Sequence, residues 1–170
     1  MLRTADQYRN SLRDGREVWI DGKKVEDVPN HPVFKPIVDI RARIYDMAHE
    51  EKFSDKLTYA NEKTKEKNCV GSKLPKSKND WLVKREAIKI ITYEVGAIVT
   101  RMGDETAGEM WSLYDGTDIL NEVDSRFGDN IANHIQKVLK SDTFHVSANT
   151  DPKGDRSKLP QDQDPDMLLH

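Results

Sequence analysis

The chain has 170 residues, 36% of them hydrophobic and 34% charged, and its 27 basic and 30 acidic residues leave a net charge of −3. That is about one domain's length with a lean core. It excludes a membrane span, since no apolar run approaches the roughly 18 residues required, and it argues against generic nucleic-acid binding. The single cysteine, Cys69, excludes a disulfide scaffold or a self-contained cysteine cluster and fits a reducing, cytoplasmic home. The opening Met1–Gln7 carries no apolar stretch of the kind a signal peptide needs.

In chain order, Thr4 and Gln7 form a capping-box pattern ahead of Tyr8 and Leu12, with Gly15 placed to stop the helix. Asp21-Gly22 between Glu17–Ile20 and Lys23–Val25 predicts a hairpin, because a type I′ turn needs positive φ at both central positions. Pro36 suits the first turn of a helix whose stripe is Ile37, Ile40, Ile44, Tyr45 and Ala48. The lysine-rich run Glu62–Lys78 has no period and reads as a solvated loop.

Ser77 and Asp80 cap the longest predicted helix, with a buried stripe of Ile88, Ile91, Val95, Ile98, Val99 and Met102 and Gly103 beyond its end. Ala107, Met110, Trp111 and Tyr114 form a further stripe that Asp115-Gly116 breaks. Ile119, Leu120 and Val123 follow, then Ile131, Ile135, Val138 and Leu139 on one more helix. Phe144–Ala148 is strand-like, and from Asp151 onward the prolines and aspartates leave almost nothing to bury, so that alone the tail should be disordered. The expected fold class is mostly α, a helical bundle with a small N-terminal β-hairpin.

Motifs that carry chemistry are sparse. There is no G-x-G-x-x-G, Walker loop, H-E-x-x-H or C-x-x-C, and the five histidines are scattered, so no metal site is expected. The best constellation is Asn149-Thr150-Asp151-Pro152-Lys153-Gly154-Asp155-Arg156. Its two cations straddle a glycine and an aspartate, and Lys and Arg supply charge-assisted donors to phosphate while Gly154 admits a backbone N–H. On these residues alone a polar surface turn is the better reading. His145 is a candidate general base or ring-binding donor, or simply an exposed strand histidine. Arg101 would meet a substrate anion or complement a helix C-terminus.

The run Ser11–Gly22, then Val25, Asp27-Val28 and His31-Pro32, resembles the opening of the 4-hydroxyphenylacetate 3-monooxygenase family of flavoproteins, which also includes 4-hydroxybutyryl-CoA dehydratase. Asp80–Arg85, Thr150–Arg156 and Asp164-Pro165-Asp166 are similar as well, in order along the whole chain, and the Thr150–Arg156 run resembles the dehydratase branch in particular.

The resemblance implies an acyl-CoA dehydrogenase-like fold: residues 1–150 as its helical N-terminal domain and 151–170 as an extended tail leading towards a β-domain missing from this chain. It implies an FAD-dependent oxidoreductase that hydroxylates an aromatic substrate with reduced flavin. The alternatives are a dehydratase/isomerase-like flavoprotein without iron–sulfur ligands, or a non-catalytic helical assembly subunit. The isolated chain is expected to be inactive. Its partners would be the missing β- and C-terminal helical domains, further copies in a homo-oligomer, and a flavin reductase.

By the same resemblance, Asn149, Thr150, Asp151, Lys153, Gly154, Asp155 and Arg156 become FAD contacts, to phosphates or ribityl hydroxyls, and Arg101, His145 and Ser147 catalytic positions. The departures are specific. Ile98-Val99 and Met102-Gly103 stand where the dehydratase branch carries two cluster cysteines, so no iron–sulfur cluster is expected. Glu105 stands where the monooxygenase branch has a tyrosine. Ser147 replaces a histidine, with His145 two residues earlier on the same strand face.

Overall fold

The computed structural model describes residues 2–96, 105–143, 155 and 157–162. Among them the chain forms seven α-helices and two separate antiparallel strand pairs. Helix α1 (Ala5–Ser11) opens with the expected reciprocal cap: Gln7 N–H donates to Thr4 Oγ1 at 3.2 Å, and Thr4 N–H donates back to Gln7 Oε1 at 2.9 Å. The hairpin follows, β1 (Trp19–Ile20) on β2 (Lys23–Lys24), with Asp21 at φ +49° and Gly22 at φ +73° as a type I′ turn demands.

Helix α2 (Lys35–Met47) buries Val38, Ala42, Ile44, Tyr45 and Met47. The expected stripe is shifted by one position at its start: Ile37 is exposed, and the smaller Val38 turns inward. Helix α3 (Glu51–Leu57) leads into β3 (Thr58–Ala60), which pairs with β4 (Lys67–Cys69) through Thr58↔Cys69, Tyr59↔Asn68 and Ala60↔Lys67. The supposed solvated loop, Glu62–Lys78, thus contains one strand of a second hairpin, β4, with β3 just ahead of it. Its lysines stay outside, while Asn68 and Val70 are buried. Two buried residues are too few to show a period.

Helix α4 (Lys78–Val95) is the longest. It starts at Ser77 and closes at Gly96 (φ +73°), whose N–H donates to the Thr92 carbonyl. The end expected at Gly103 is therefore corrected to Gly96, an equally competent left-handed cap; the Ile98–Met102 part of the expected stripe lies outside the described residues. Ile44, Met47, Leu57, Val70, Ala87 and Ile91 make one core between α2, α3 and α4.

Helices α5 (Glu105–Asp115) and α7 (Arg126–Ser141) make a second, smaller one from Met110, Ile135 and Val138, and α6 (Thr117–Val123) lies between them in the chain with no buried residue. Gly128 lets α6 and α7 close up, for a Cβ there would stand 2.6 Å from Asn121 Nδ2 and 2.9 Å from Thr117 Cγ2. The strand expected over Phe144–Ala148 lies outside the described residues. In the tail, the described residues Asp155 and Ser157–Asp162 include a single 3-10 turn, Pro160–Asp162.

Candidate functional site

The expected site is reached from two helix ends, Gly96 of α4 and the last turn of α7. At the second, the chain leaves the helix through Asp142, in the left-handed region at φ +48°, a conformation that aspartate tolerates better than most residues. Three distant groups converge on this turn. Asn68 Nδ2 on β4 donates to the Leu139 carbonyl at 2.8 Å. The Tyr45 hydroxyl on α2 donates to the Asp142 carbonyl at 2.8 Å. Arg3 N–H donates to Asp142 Oδ2 at 2.9 Å. The carbonyls of a last helical turn have no partners within the helix, and here two of them receive one from another element.

The surroundings hold these groups in turn. His49 Nε2 lies 3.0 Å from the Arg3 carbonyl, and the Arg3 guanidinium sits 5.7 Å from the centroid of the Tyr45 ring. Tyr8 packs on Tyr45 with ring centroids 5.2 Å apart. Burial pushes the Tyr45 hydroxyl up, and Asp142 pushes it further, so it stays a donor at any ordinary pH. Burial also pushes the Asp142 carboxyl up, against the opposing pull of the Arg3 hydrogen bond. Cys69, beside this cluster, is driven by burial to about 11 and is a protonated thiol at neutral pH, not a thiolate ligand.

The long helix is tied down at its other end. Asp80 Oδ1 receives Lys73 Nζ at 2.6 Å, and Asp80 Oδ2 receives Ser77 Oγ at 2.8 Å and Lys76 N–H at 3.0 Å. These donors hold its carboxyl well below the usual range, Lys73 foremost. Buried Lys84 donates to the Gly71 carbonyl at 2.9 Å, and Trp111 Nε1 on α5 donates to the Ser72 carbonyl at 3.2 Å. The cavity between Leu57, Cys69, Lys84 and Ile91 is about 20 Å³, far below the size of an organic ligand's pocket. Among the described residues no group of three or more His, Cys, Asp or Glu side chains could hold a metal ion, and no helix is long and apolar enough to cross a membrane.

Of the expected site residues, Arg101, His145, Ser147, Asn149, Thr150, Asp151, Lys153, Gly154 and Arg156 lie outside the described residues. Asp155 is described. Its Oδ1 accepts Ser157 N–H at 3.0 Å and Ser157 Oγ at 2.6 Å, and Lys158 Nζ stands 3.6 Å from Oδ2. The Ser157 bonds above all lower its pKa, so it is an anion at neutral pH. The cluster of Arg3, Tyr45, Asn68 and Asp142 was missed from sequence, because its members are scattered along the chain; the one local signal was an aspartate just past the last turn of a helix.

The described residues form a helical unit with two small hairpins. The family described as 4-hydroxyphenylacetate 3-hydroxylase N terminal matches residues 4–170, and the chain belongs to it. It is 28% identical over 170 residues to the 4-hydroxyphenylacetate 3-monooxygenase oxygenase component of Thermus thermophilus, covering 99% of this chain and 34% of that protein. It is also 28% identical over 182 residues to the 4-hydroxybutyryl-CoA dehydratase/vinylacetyl-CoA-Delta-isomerase of Clostridium aminobutyricum, covering 99% and 35%.

Among solved structures, it superposes with a TM-score of 0.79 and 28% identity on the 4-hydroxyphenylacetate 3-monooxygenase oxygenase component complexed with FAD and 4-hydroxyphenylacetate. That match covers 96% of this chain and 33% of the other. An archaeal 4-hydroxybutyryl-CoA dehydratase from N. maritimus gives 0.76 at 25% identity, covering 98% and 33%. The chain thus spans about a third of the length of the relatives it matches.

Proposed function

We propose that this chain supplies the helical N-terminal part of an FAD-dependent aromatic hydroxylase. The observation that carries the reading is the family match over residues 4–170, together with the 0.79 superposition on an oxygenase component that holds FAD and 4-hydroxyphenylacetate. The bound flavin would supply the electrons for oxygen insertion. In this reading residues 1–150 are the helical domain, and 151–170 lead to a β-domain supplied elsewhere. Asn149, Thr150, Asp151, Lys153, Gly154, Asp155 and Arg156 face the flavin, while Arg101, His145 and Ser147 face the substrate.

Asp155 tests the fit at one point. An ionised carboxylate already engaged by Ser157 and Lys158 repels a phosphate but accepts a hydroxyl. It therefore suits a ribityl hydroxyl, and the phosphate role falls to Lys153 and Arg156. The partners are the remaining two thirds of the fold, further copies of the assembled enzyme and a flavin reductase, in a reducing cytoplasm.

The dehydratase reading draws on the Clostridium relative and the archaeal structure. Its iron–sulfur chemistry needs thiolates, and this sequence has one cysteine, a buried thiol on β4 with a pKa of about 11. The hydroxylase reading is therefore preferred. The test is a flavin titration of the chain alone and together with a chain carrying the remaining two thirds of the fold. Tight FAD binding by the pair, weak binding by either part, and loss of affinity in the double variant Lys153→Ala/Arg156→Ala are expected. No FAD binding by the pair overturns the reading.

A further inference from the structure

We infer that the outward face of α4 docks a second copy of this chain, through the outward face of that copy's α6. The contact is independent of any flavin. Trp81 and Leu82, at the start of α4, are 54% and 49% exposed. Lys78 stands one turn before them, and Arg85 and Lys89 follow at one and two turns, which sets all five on one side of the helix. Ala87 and Ile91, on the opposite side, are the buried residues that α4 gives to the core. Tyr93 prolongs the outward face and is 81% exposed. The result is an apolar pair bracketed by cations.

Helix α6 shows the converse. Ile119 and Val123, one turn apart, are 67% and 79% exposed, and Asp118 and Glu122 run beside them at the same spacing. Here an apolar pair is flanked by acids.

Charge selects a second copy as the occupant. Residues 63–89 carry nine Lys and Arg against three Asp and Glu, whereas residues 107–129 carry six Asp and Glu against Arg126 alone. Arg126 is itself held by Asp124 at 2.6 Å. The opposite charges do not meet within one chain. Among the described residues Lys78, Arg85, Asp118 and Glu122 make no ion pair, and Lys89 meets only Glu86, at 4.0 Å. Each copy therefore carries one face and its complement, apolar against apolar and cation against acid. The two faces differ, so the contact is heterologous. An exposed ion pair is worth little by itself, and Trp81, the largest side chain of the α4 face, supplies the anchor.

Sedimentation velocity of the 170-residue chain over a range of concentrations tests the contact. The unmodified chain is expected to self-associate, and more weakly at high salt, since the screening length falls from about 10 Å at about 0.1 M to about 3 Å at about 1 M. Arg85→Glu spoils only the α4 face, and Asp118→Lys/Glu122→Lys only the α6 face. Each is expected to weaken association by about tenfold or more. Mixed in equal parts, the two variants are expected to form a one-to-one pair with the unmodified affinity, because each keeps the face that the other lacks. Lys23→Glu, on β2, changes net charge as Arg85→Glu does and is expected to leave association unchanged. All these positions are exposed, so circular dichroism should match the unmodified chain throughout.

A chain that stays monomeric overturns the inference. A mixture as dissociated as its parts overturns it too, since a like-with-like contact would then be at work. Equal weakening by Lys23→Glu reduces the effect to net charge, with the same consequence. The remaining two thirds of the fold compete for these faces. If the unmodified chain is monomeric and both variants lose pairing with a chain that carries that part, the faces belong to the rest of the fold and not to a second copy.

Discussion

The two helical cores solve the same packing problem with different completeness. Between α2, α3 and α4 the buried residues meet one another, Met47 at 0% exposure among them, and the elements are cross-linked by Arg43, whose guanidinium reaches both Glu50 and Glu94. Among the described residues α5 and α7 share a core of Met110, Ile135 and Val138, while on α6 Ile119 is 67% and Val123 79% exposed. The first region has the larger core, although Trp81, Leu82 and Tyr93 on α4 stay exposed. The second has a smaller core and, on α6, no buried residue, and its outward apolar side chains suit a surface that other parts of a larger fold would cover. Of the stripe Ala107, Met110, Trp111 and Tyr114, the first two are buried, Trp111 is half-buried and hydrogen-bonded to Ser72, and Tyr114 is exposed.

If the first core carries the stability, Met47→Ala is the most damaging single change. A fully buried methionine lost to a cavity costs about 2–5 kcal/mol, a large share of a small domain's total. Chemical denaturation should show the midpoint collapse, whereas an effect below about 1 kcal/mol would erase the distinction between the cores. Gly128→Ala probes the second region. Its new Cβ meets Asn121 and Thr117 at under 3 Å, and overpacking of this kind costs about 1–3 kcal/mol. The damage should be confined to α6 and α7, with exchange across α2–α4 unchanged; a global loss would mean that the two regions unfold as one.

The helix ends separate the regions as well. Helix α4 starts with Ser77, Asp80 and Lys73 in one network, while α7 starts at Ser125 with no side-chain cap. Because Asp80 has a lowered pKa in the fold, its contribution is fully present above the ordinary carboxylate range and is lost as pH falls through that range towards the folded value. Asp142 has a raised pKa, so its contribution runs the other way, present at acid pH and lost as pH rises through the folded value. Asp80→Asn should therefore lower the melting temperature at pH 7, by a difference that begins to narrow only as pH falls below the ordinary carboxylate range. Asp142→Asn should cost no more at pH 7 than at acid pH, since the raised pKa adds stability only towards acid. A pH-independent difference for Asp80→Asn would remove the charged network as the cause.

Much of the fold was legible because it rests on local chemistry. The Thr4–Gln7 box, the Asp21-Gly22 turn and the Ser77 cap each need only neighbours, and each stands where the residues indicated. What was missed depends on partners far along the chain. Ile37 and Val38 fit a helical stripe about equally well, and only the placement of α1 and α4 decides which one turns inward. Lysines hide the β3–β4 hairpin, since three-residue strands with outward charges leave no period to see. Gly96 and Gly103 are both sound helix stops, and composition does not rank them. The family was readable from its motifs and is the one that matches residues 4–170. The candidate site was readable only as a sequence turn, and the cluster of Arg3, Tyr45, Asn68 and Asp142 not at all, because its bonds link residues 71 to 139 positions apart.

The smallest change in stability should come from the residues that make the comparison sharpest. Ile119 and Val123 are four apart on α6, so they present one apolar face, and both are mostly exposed. Replacing both with serine removes little buried area, and surface substitutions of this kind shift stability by no more than about 0.5 kcal/mol. Their effect belongs to association. In sedimentation at high concentration the unmodified chain is expected to self-associate through this uncovered face, and Ile119→Ser/Val123→Ser to move it towards monomer. The same double variant should weaken pairing with a chain that carries the remaining two thirds of the fold. A large loss of stability would show that these side chains already belong to the chain's own core. Unchanged association would place the covered surface elsewhere, and the incompleteness of the second region would then be a matter of its small core alone.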